Sequence, residues 1–264
     1  MNAPRQRCLR HELKYHIDLI EYRILQKKLR LVLKHDTHAT LDGRYHVRSL
    51  YFDDFRNTAL VEKDAGVARR KKYRLRIYNF SDAVIKLERK TKLERYIVKE
   101  TARLTREEAE RIIVGDIAFL AHSENALLKT FYLDSRLNIM RPVVFVDYLR
   151  EAYVHPIGNV RITFDVGLRM GLGPGSLFDP DAPTVRVADE AGIILEIKFN
   201  EVLPQHIRGL FPTTIQPRSA IGKFVICRTQ QPCRETEFYM FHRYSSAKPQ
   251  IVEPLLLPTK AVVH

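Results

Sequence analysis

Polar and apolar residues alternate with a two-residue period through eight stretches of the chain, at 9–15, 45–52, 71–78, 84–92, 95–100, 143–153, 160–168 and 193–199. That period predicts β-strands, because successive side chains point to opposite faces of a sheet. Helical spacing appears instead at 18–33, 105–114 and 124–137, with Thr105 and Glu108 placed as a capping box, and a further short helix is expected after Pro204. Asn79-Phe80-Ser81-Asp82 and Pro156-Ile157-Gly158-Asn159 read as turns, and the Gly/Pro-rich stretch 171–183 as a loop. Pro249, Pro254 and Pro258 discourage regular structure in a tail over 245–264, and no linker or repeat divides residues 1–244, so one domain is expected there. The order of elements favours an antiparallel β-rich α+β fold with helices packed outside.

The strands are unusual in what they place on one face. Lys72, Arg74 and Arg76 share a face of their strand, and Tyr73, Leu75 and Ile77 share the other. The same division into charged and apolar sides recurs in 10–14, 86–90, 161–165 and 195–199. Two architectures use such strands. An open sheet would present the charged face to solvent as a basic platform, whereas a closed barrel would turn the apolar faces outward under helices and line its lumen with the charges. Glu12/Lys14, Glu88/Lys90 and Glu196/Lys198 favour the barrel. Carboxylates weaken a surface built only to hold phosphates, but a phosphoryl-transfer site uses both signs, cations for phosphate oxygens and carboxylates for a divalent metal.

Composition narrows the partner. The 264 residues carry 44 Lys+Arg against 31 Asp+Glu, a net charge of +13, while 45% of the chain is apolar, enough for a real core. The charge excess reflects either no partner or an anionic one, for which nucleic acid, an acidic membrane surface and polyphosphate are the candidates. Nucleic acid is disfavoured, since the charged faces are short of aromatic platforms and the chain has no Trp. No apolar run approaches the roughly 18 residues of a membrane span, and residues 1–10 are polar, so a cytoplasmic address is expected. Cys8, Cys227 and Cys233 fit neither a disulfide framework nor a zinc site. Of the remaining candidates, Asp53-Asp54 reads as a turn cap. Lys27, Lys28 and Arg30 read as a solvated helix face open to anionic lipid or polyphosphate, and Arg69-Arg70-Lys71-Lys72 as a guide to a tunnel mouth or an ordinary strand entry.

Seven ordered motifs resemble a known family: Arg10-His11-Glu12-Leu13-Lys14-Tyr15, Val47-Arg48-Ser49-Leu50-Tyr51-Phe52-Asp53, Lys72-Tyr73-Arg74-Leu75-Arg76, Leu87-Glu88-Arg89-Lys90, Asp147-Tyr148-Leu149-Arg150-Glu151-Ala152-Tyr153, Val160-Arg161-Ile162-Thr163-Phe164-Asp165 and Leu195-Glu196-Ile197-Lys198. Together they are similar to the VTC domain, the polyphosphate polymerase branch of the CYTH-like triphosphate tunnel metalloenzymes. The resemblance implies an eight-stranded antiparallel tunnel barrel with a basic lumen, and transfer of the γ-phosphoryl group of ATP onto inorganic polyphosphate with manganese or magnesium. Carried over by motif, Lys14, Arg74, Arg76, Glu196 and Lys223 would be catalytic, and Lys72, Lys90, Lys99, Arg150, Arg161 and Lys198 would bind substrate. Glu196 would be the main metal ligand, with Glu12 as a second acidic member. Asp165 would be either another ligand or the ion-pair partner of Arg161. Two positions depart from the wider pattern. Arg10 replaces the first Glu of Glu-x-Glu-x-Lys, which argues against the hydrolase and cyclase branches, and Gly222 replaces the Ser of Ser-Lys-Tyr. A triphosphate hydrolase and a non-catalytic module for polyphosphate or inositol pyrophosphate are the alternatives. A membrane-protein partner and a peripheral place at the inner face of the membrane also fit the resemblance.

Overall fold

The computed structural model describes residues 10–37, 40, 42–94, 96–171, 177–187, 192–212 and 222–231. The expected boundary at 244 and the tail lie outside the described residues, as do Cys8 and Cys233. The strands are β1 (Arg10–Ile17), β2 (Lys34–His35), β3 (Arg44–Asp53), β4 (Arg69–Tyr78), β5 (Ser81–Leu93), β6 (Tyr96–Leu104), β7 (Arg141–His155), β8 (Val160–Gly171), β9 (Thr184–Arg186) and β10 (Ile193–Asn200). The helices are α1 (Leu19–Val32), α2 (Thr58–Asp64), α3 (Arg106–Ile113), α4 (Ala126–Asn138), α5 (Gln205–Arg208) and α6 (Lys223–Thr229).

Eight strands form one continuous antiparallel path in the order β1-β10-β8-β7-β3-β4-β5-β6, and they are the eight that the alternation predicts. The two extra strands are short: β2 pairs with β7 and β9 with β8. The path curls into a tunnel. Lys90 on β5 reaches Glu12 on β1 at 3.5 Å, although these strands stand near opposite ends of the path.

Local chemistry explains the element ends. Asp18 caps α1 and Thr105 caps α3, each in a reciprocal box with a Glu three residues on. The β4–β5 hairpin turns on two residues at positive φ, Asn79 (49°) and Phe80 (56°), the conformation whose twist suits a two-residue turn. Phe80 is held there by stacking on His46 at 4.1 Å and beneath the Arg48 guanidinium at 4.6 Å. In β8, Gly167 at φ 65° marks a bulge opposite Asp147 and Leu149. The bulge changes the parity of the strand: Arg161, Thr163 and Asp165 face inward before it, and Leu168 and Met170 after it.

The core has three parts. On the outer face, α3 and α4 cover Tyr73, Leu75, Ile77, Leu87 and their neighbours. The outer face of the other half packs Tyr153, Ile162, Phe164, Leu195 and Ile197 against Tyr22, Leu25 and Leu29 of α1 and Ile207 of α5. The third part is internal and is not foreseen by the alternation. Tyr51, Val144, Val146, Tyr148, Leu168 and Met170 point inward and are covered by Leu60 of α2 and Phe224 and Cys227 of α6. Two helices thus pack on the inner face at one end.

Glu151 ties α1 to the sheet. It is fully buried and accepts from Tyr22 Oη (2.6 Å), Gln26 Nε2 (2.7 Å) and Tyr153 Oη (2.5 Å), with Arg30 at 3.3 Å. Truncation of a buried charge strands its partners and costs about 3–5 kcal/mol. Glu151→Ala is expected to lower the urea midpoint by a corresponding amount with an unchanged slope, and a midpoint within error of the parent would remove the network from the stability of the fold.

Candidate functional site

The inward rows of β1, β4, β5, β7 and β10 meet in a cavity of about 300 Å³. Twelve lysines and arginines line it against two carboxylates, Glu12 and Glu196. Of the residues singled out from sequence, Glu12, Lys14, Lys72, Arg74, Arg76, Lys90, Arg150, Glu196, Lys198 and Lys223 all line this space. Nine positions on five strands and a tenth on a helix are thereby brought to one place, with Lys223 delivered by the first turn of α6.

Lys99, Arg161 and Asp165 stand elsewhere. Lys99 is half exposed on β6 and donates to Glu88 at 2.6 Å. Arg161 lies on the inner face away from the cavity, with Asp36 at 2.5 Å and the Tyr45 hydroxyl at 3.0 Å. Asp165 does not pair with Arg161. It accepts from Arg150 Nε (2.6 Å) and Nη2 (2.8 Å) and from Lys223 Nζ (2.5 Å), because the pairing of β7 with β8 sets Arg150 directly opposite it. Burial would raise the Asp165 carboxyl, but Arg150 and Lys223 outweigh it and hold the pKa near 2. Glu88 does the same on the other wall, 2% exposed, with Arg74 and Lys99 both at 2.6 Å and Arg76 at 3.7 Å. Burial again opposes ionisation, and the three cations carry its pKa well below the usual range.

Glu12 and Glu196 form the inner acidic pair. Glu12 lies within hydrogen-bonding reach of Glu196, and Lys14 contacts both, at 2.8 and 3.4 Å. Lys198 donates to Glu196 at 2.7 Å and stands 4.0 Å from Glu12. Burial pushes the Glu196 carboxyl up, yet Glu12, Lys198, Lys14 and Lys223 together take it well below its ordinary value. Lys14 and Lys198 offset the repulsion between the two carboxylates. The pair suits a hard divalent ion, which commonly takes one or two carboxylates and completes its shell with phosphate oxygens and water. Among the described residues no group of three or more His, Cys, Asp or Glu side chains is placed to hold a metal by itself. Asp53 and Asp54 serve as turn caps, Asp53 accepting from the backbone N–H groups of Asp54, Ala59 and Leu60.

Two tyrosines in the site were not singled out. Tyr51 accepts from Arg74 Nη1 at 2.8 Å and packs on Phe224 at 5.0 Å, with the Lys72 ammonium 5.8 Å from its ring. Tyr148 lies beneath Arg150 and Lys223, at 5.3 and 5.0 Å. The charged faces therefore do carry aromatic rings. The available signal was position: Tyr148 is two residues from Arg150, and Tyr51 pairs across with Arg74. Lys63 also lines the cavity by way of α2, an element the periodicity does not reveal, and Arg70 and Lys71 of the basic run 69–72 line it too.

Burial opposes ionisation of the Tyr51 phenol, but Arg74, Lys72 and Arg76 overcome it and bring its pKa down to about 7. Burial drives Lys72 and Lys198 down to about 8. A group whose folded pKa is depressed below an unfolded value of 10 adds stability above 10 and loses it as pH falls through about 7. The melting temperature of the free protein is thus expected to exceed that of Tyr51→Phe by an amount that grows between pH 7 and pH 10. A difference that stays flat across that window would show that Tyr51 does not ionise there.

No curated protein matches the chain. A candidate adenylyl cyclase from Hippeastrum with a dominant triphosphatase activity has a similar structure, at 12% identity and a TM-score of 0.51 over 86% of this chain and 98% of that one. A candidate adenylate cyclase from Bacillus halodurans aligns at 12% identity and a TM-score of 0.45, over 76% of this chain and 84% of that one. At such identity the first likeness speaks for the fold alone. The family model for the VTC domain matches residues 9–230, nearly the whole described chain, and the chain belongs to the VTC domain family.

Proposed function

We propose that the chain is a polyphosphate polymerase that transfers the γ-phosphoryl group of ATP to the end of an inorganic polyphosphate chain. One observation carries the reading: a cavity lined by twelve cations and two carboxylates, which matches a polyanion accompanied by a divalent cation. Charge-assisted hydrogen bonds from such a wall bind phosphate more strongly than exposed pairs do, with arginine forks on paired oxygens and lysines as point charges.

Phosphoryl transfer needs little covalent chemistry from the protein, so positioning and charge stabilisation supply most of the catalysis. Arg74 and Arg76, fixed from behind by Glu88, would hold the oxygens of the transferred group. Lys14 and Lys223 approach from β1 and α6 and would neutralise charge gathering on the leaving and attacking oxygens, while Lys72, Lys90, Lys198 and Arg150 would hold the remaining phosphates. Glu196 and Glu12 would hold manganese or magnesium, which when bound offsets charge on the bridging phosphate oxygens. A terminal oxygen of the chain bonds to the γ-phosphorus, the bond from that phosphorus to the β–γ bridging oxygen breaks, and ADP leaves with the electron pair.

Purified protein incubated with ATP and manganese is expected to yield ADP and a ladder of long polyphosphate on a gel. Arg74→Ala is expected to reduce the rate about a hundredfold, the scale of losing one preorganised donor, and Glu196→Ala to abolish metal-dependent turnover. Orthophosphate without a ladder would replace the polymerase by a hydrolase. Tight tripolyphosphate binding without ATP consumption, unchanged in Glu196→Ala, would leave a binding module.

A further inference from the structure

We propose that the outward face of α1 is a docking surface for an anionic lipid bilayer. The helix already has a complete inner face: Tyr22, Leu25, Gln26 and Leu29 are buried against the sheet. Its opposite side is nevertheless apolar. Ile20 is 71% exposed, Ile24 47% and Leu31 87%. These positions are spaced four and seven residues apart, so they fall on one line of the helix surface that runs about 16 Å. Single exposed apolar residues are ordinary on any protein, but an aligned set on a helix packed elsewhere marks a contact surface.

The charges around the line select the partner. Lys27 and Lys28 are exposed and flank it on either side between Ile24 and Leu31, and Arg23 is exposed at its margin. Arg30 is engaged with Glu151 and is left out of the count. The acidic residue of the helix, Glu21, is held at the first turn by the backbone N–H of Asp18. An apolar ridge with lysines on both flanks is the pattern of a helix that lies in a bilayer interface: the ridge enters the acyl boundary while the long lysine stems carry their ammonium groups up to the headgroups. A second copy of this chain fits poorly, since apposing two such faces sets lysine against lysine. A convex ridge also suits a deformable surface better than a preformed groove. The orientation is rigid, because Tyr22 and Gln26 both donate to the buried Glu151. Three side chains and a few charges give weak, reversible and salt-sensitive attachment. This proposal is independent of the lumen chemistry, and it stands whether the tunnel polymerises, hydrolyses or only binds.

The test is cosedimentation of the full chain with phosphatidylcholine vesicles with and without phosphatidylserine, in excess tripolyphosphate so that the basic lumen is blocked. Binding is expected to require phosphatidylserine and to fall as salt is raised. The double variants Ile20→Ser/Leu31→Ser and Lys27→Glu/Lys28→Glu are each expected to weaken partition about tenfold or more. Unchanged melting temperature and unchanged tripolyphosphate affinity in both variants would locate the loss at the surface rather than in folding. Three results would overturn the proposal: no binding to phosphatidylserine vesicles at low salt, binding that neither variant weakens, or a concentration-dependent dimer that the apolar variant abolishes while vesicle binding persists.

Discussion

Repulsion between like charges is the constraint on which the rest of this structure turns. Twelve cationic side chains share one cavity, and charges a few ångströms apart in a narrow lumen are screened far less than on an open surface. The barrel answers by setting carboxylates into its wall. Glu88 stands behind Arg74, Arg76 and Lys99, and Asp165 behind Arg150 and Lys223, each acid only 2% exposed. These acids orient the cations without occupying the lumen, and their strongly lowered pKa values keep them charged. What remains uncompensated is visible in Lys72 and Lys90, both held below the ordinary lysine range, first by burial and then in part by neighbouring cations. A bound polyanion would relieve that strain.

The outer surface of the sheet keeps these cations pointing inward. Asp147 pairs with Arg48 at 2.8 Å, Glu151 with the α1 network, and Tyr73 with Asp134 at 2.6 Å, all on the outer face. Each sits one residue from a lumen side chain: Asp147 beside Tyr148, Glu151 beside Arg150, Tyr73 beside Arg74. A slip of one residue in any of these strands would put a paired acid or phenol into the lumen and an arginine under a helix. Buried polar networks are costly if left incomplete, so the outer pairs fix the register that the inner charges need.

Most of this was legible in the chain, and the reason is physical. Alternation located all eight strands of the continuous path because in most of them one face is apolar and the other charged, the strongest period-two signal a strand can give. Ten of the thirteen proposed site residues share one cavity, eight of them marked by that contrast and two, Arg150 and Lys223, by the family resemblance. What escaped lacked that contrast. β2 and β9 are too short to show a period. α2 and α6 pack on an inner face that is itself apolar, so β3 and the far end of β7 are buried on both sides. Gly167 reverses the parity of β8 without altering its composition, which is why Leu168 and Met170 face inward. The partner of Arg161 was misplaced because sharing a strand face is a weaker constraint than standing directly opposite: Asp165 is paired across with Arg150, and Arg161 turns to Asp36.

The distribution of the carboxylates bears on the nucleophile. Attack by water is helped by a base that is free to take a proton, whereas the terminal phosphate of a polyphosphate chain arrives already as an anion. Among the described residues Glu88 and Asp165 are saturated by cations, and Glu12 and Glu196 form the pair suited to a metal. Three further lumen groups have pKa values near neutrality, Lys72 and Lys198 at about 8 and Tyr51 at about 7, and Tyr51 owes its value to Arg74, Lys72 and Arg76. Those cations are the ones a bound triphosphate would engage, so substrate binding withdraws the support for a phenolate and returns the group toward its ordinary, protonated state. In a loaded lumen Tyr51 is thus held as the neutral phenol, and the phosphate acceptor of the proposed reaction, already an anion, needs no base from it.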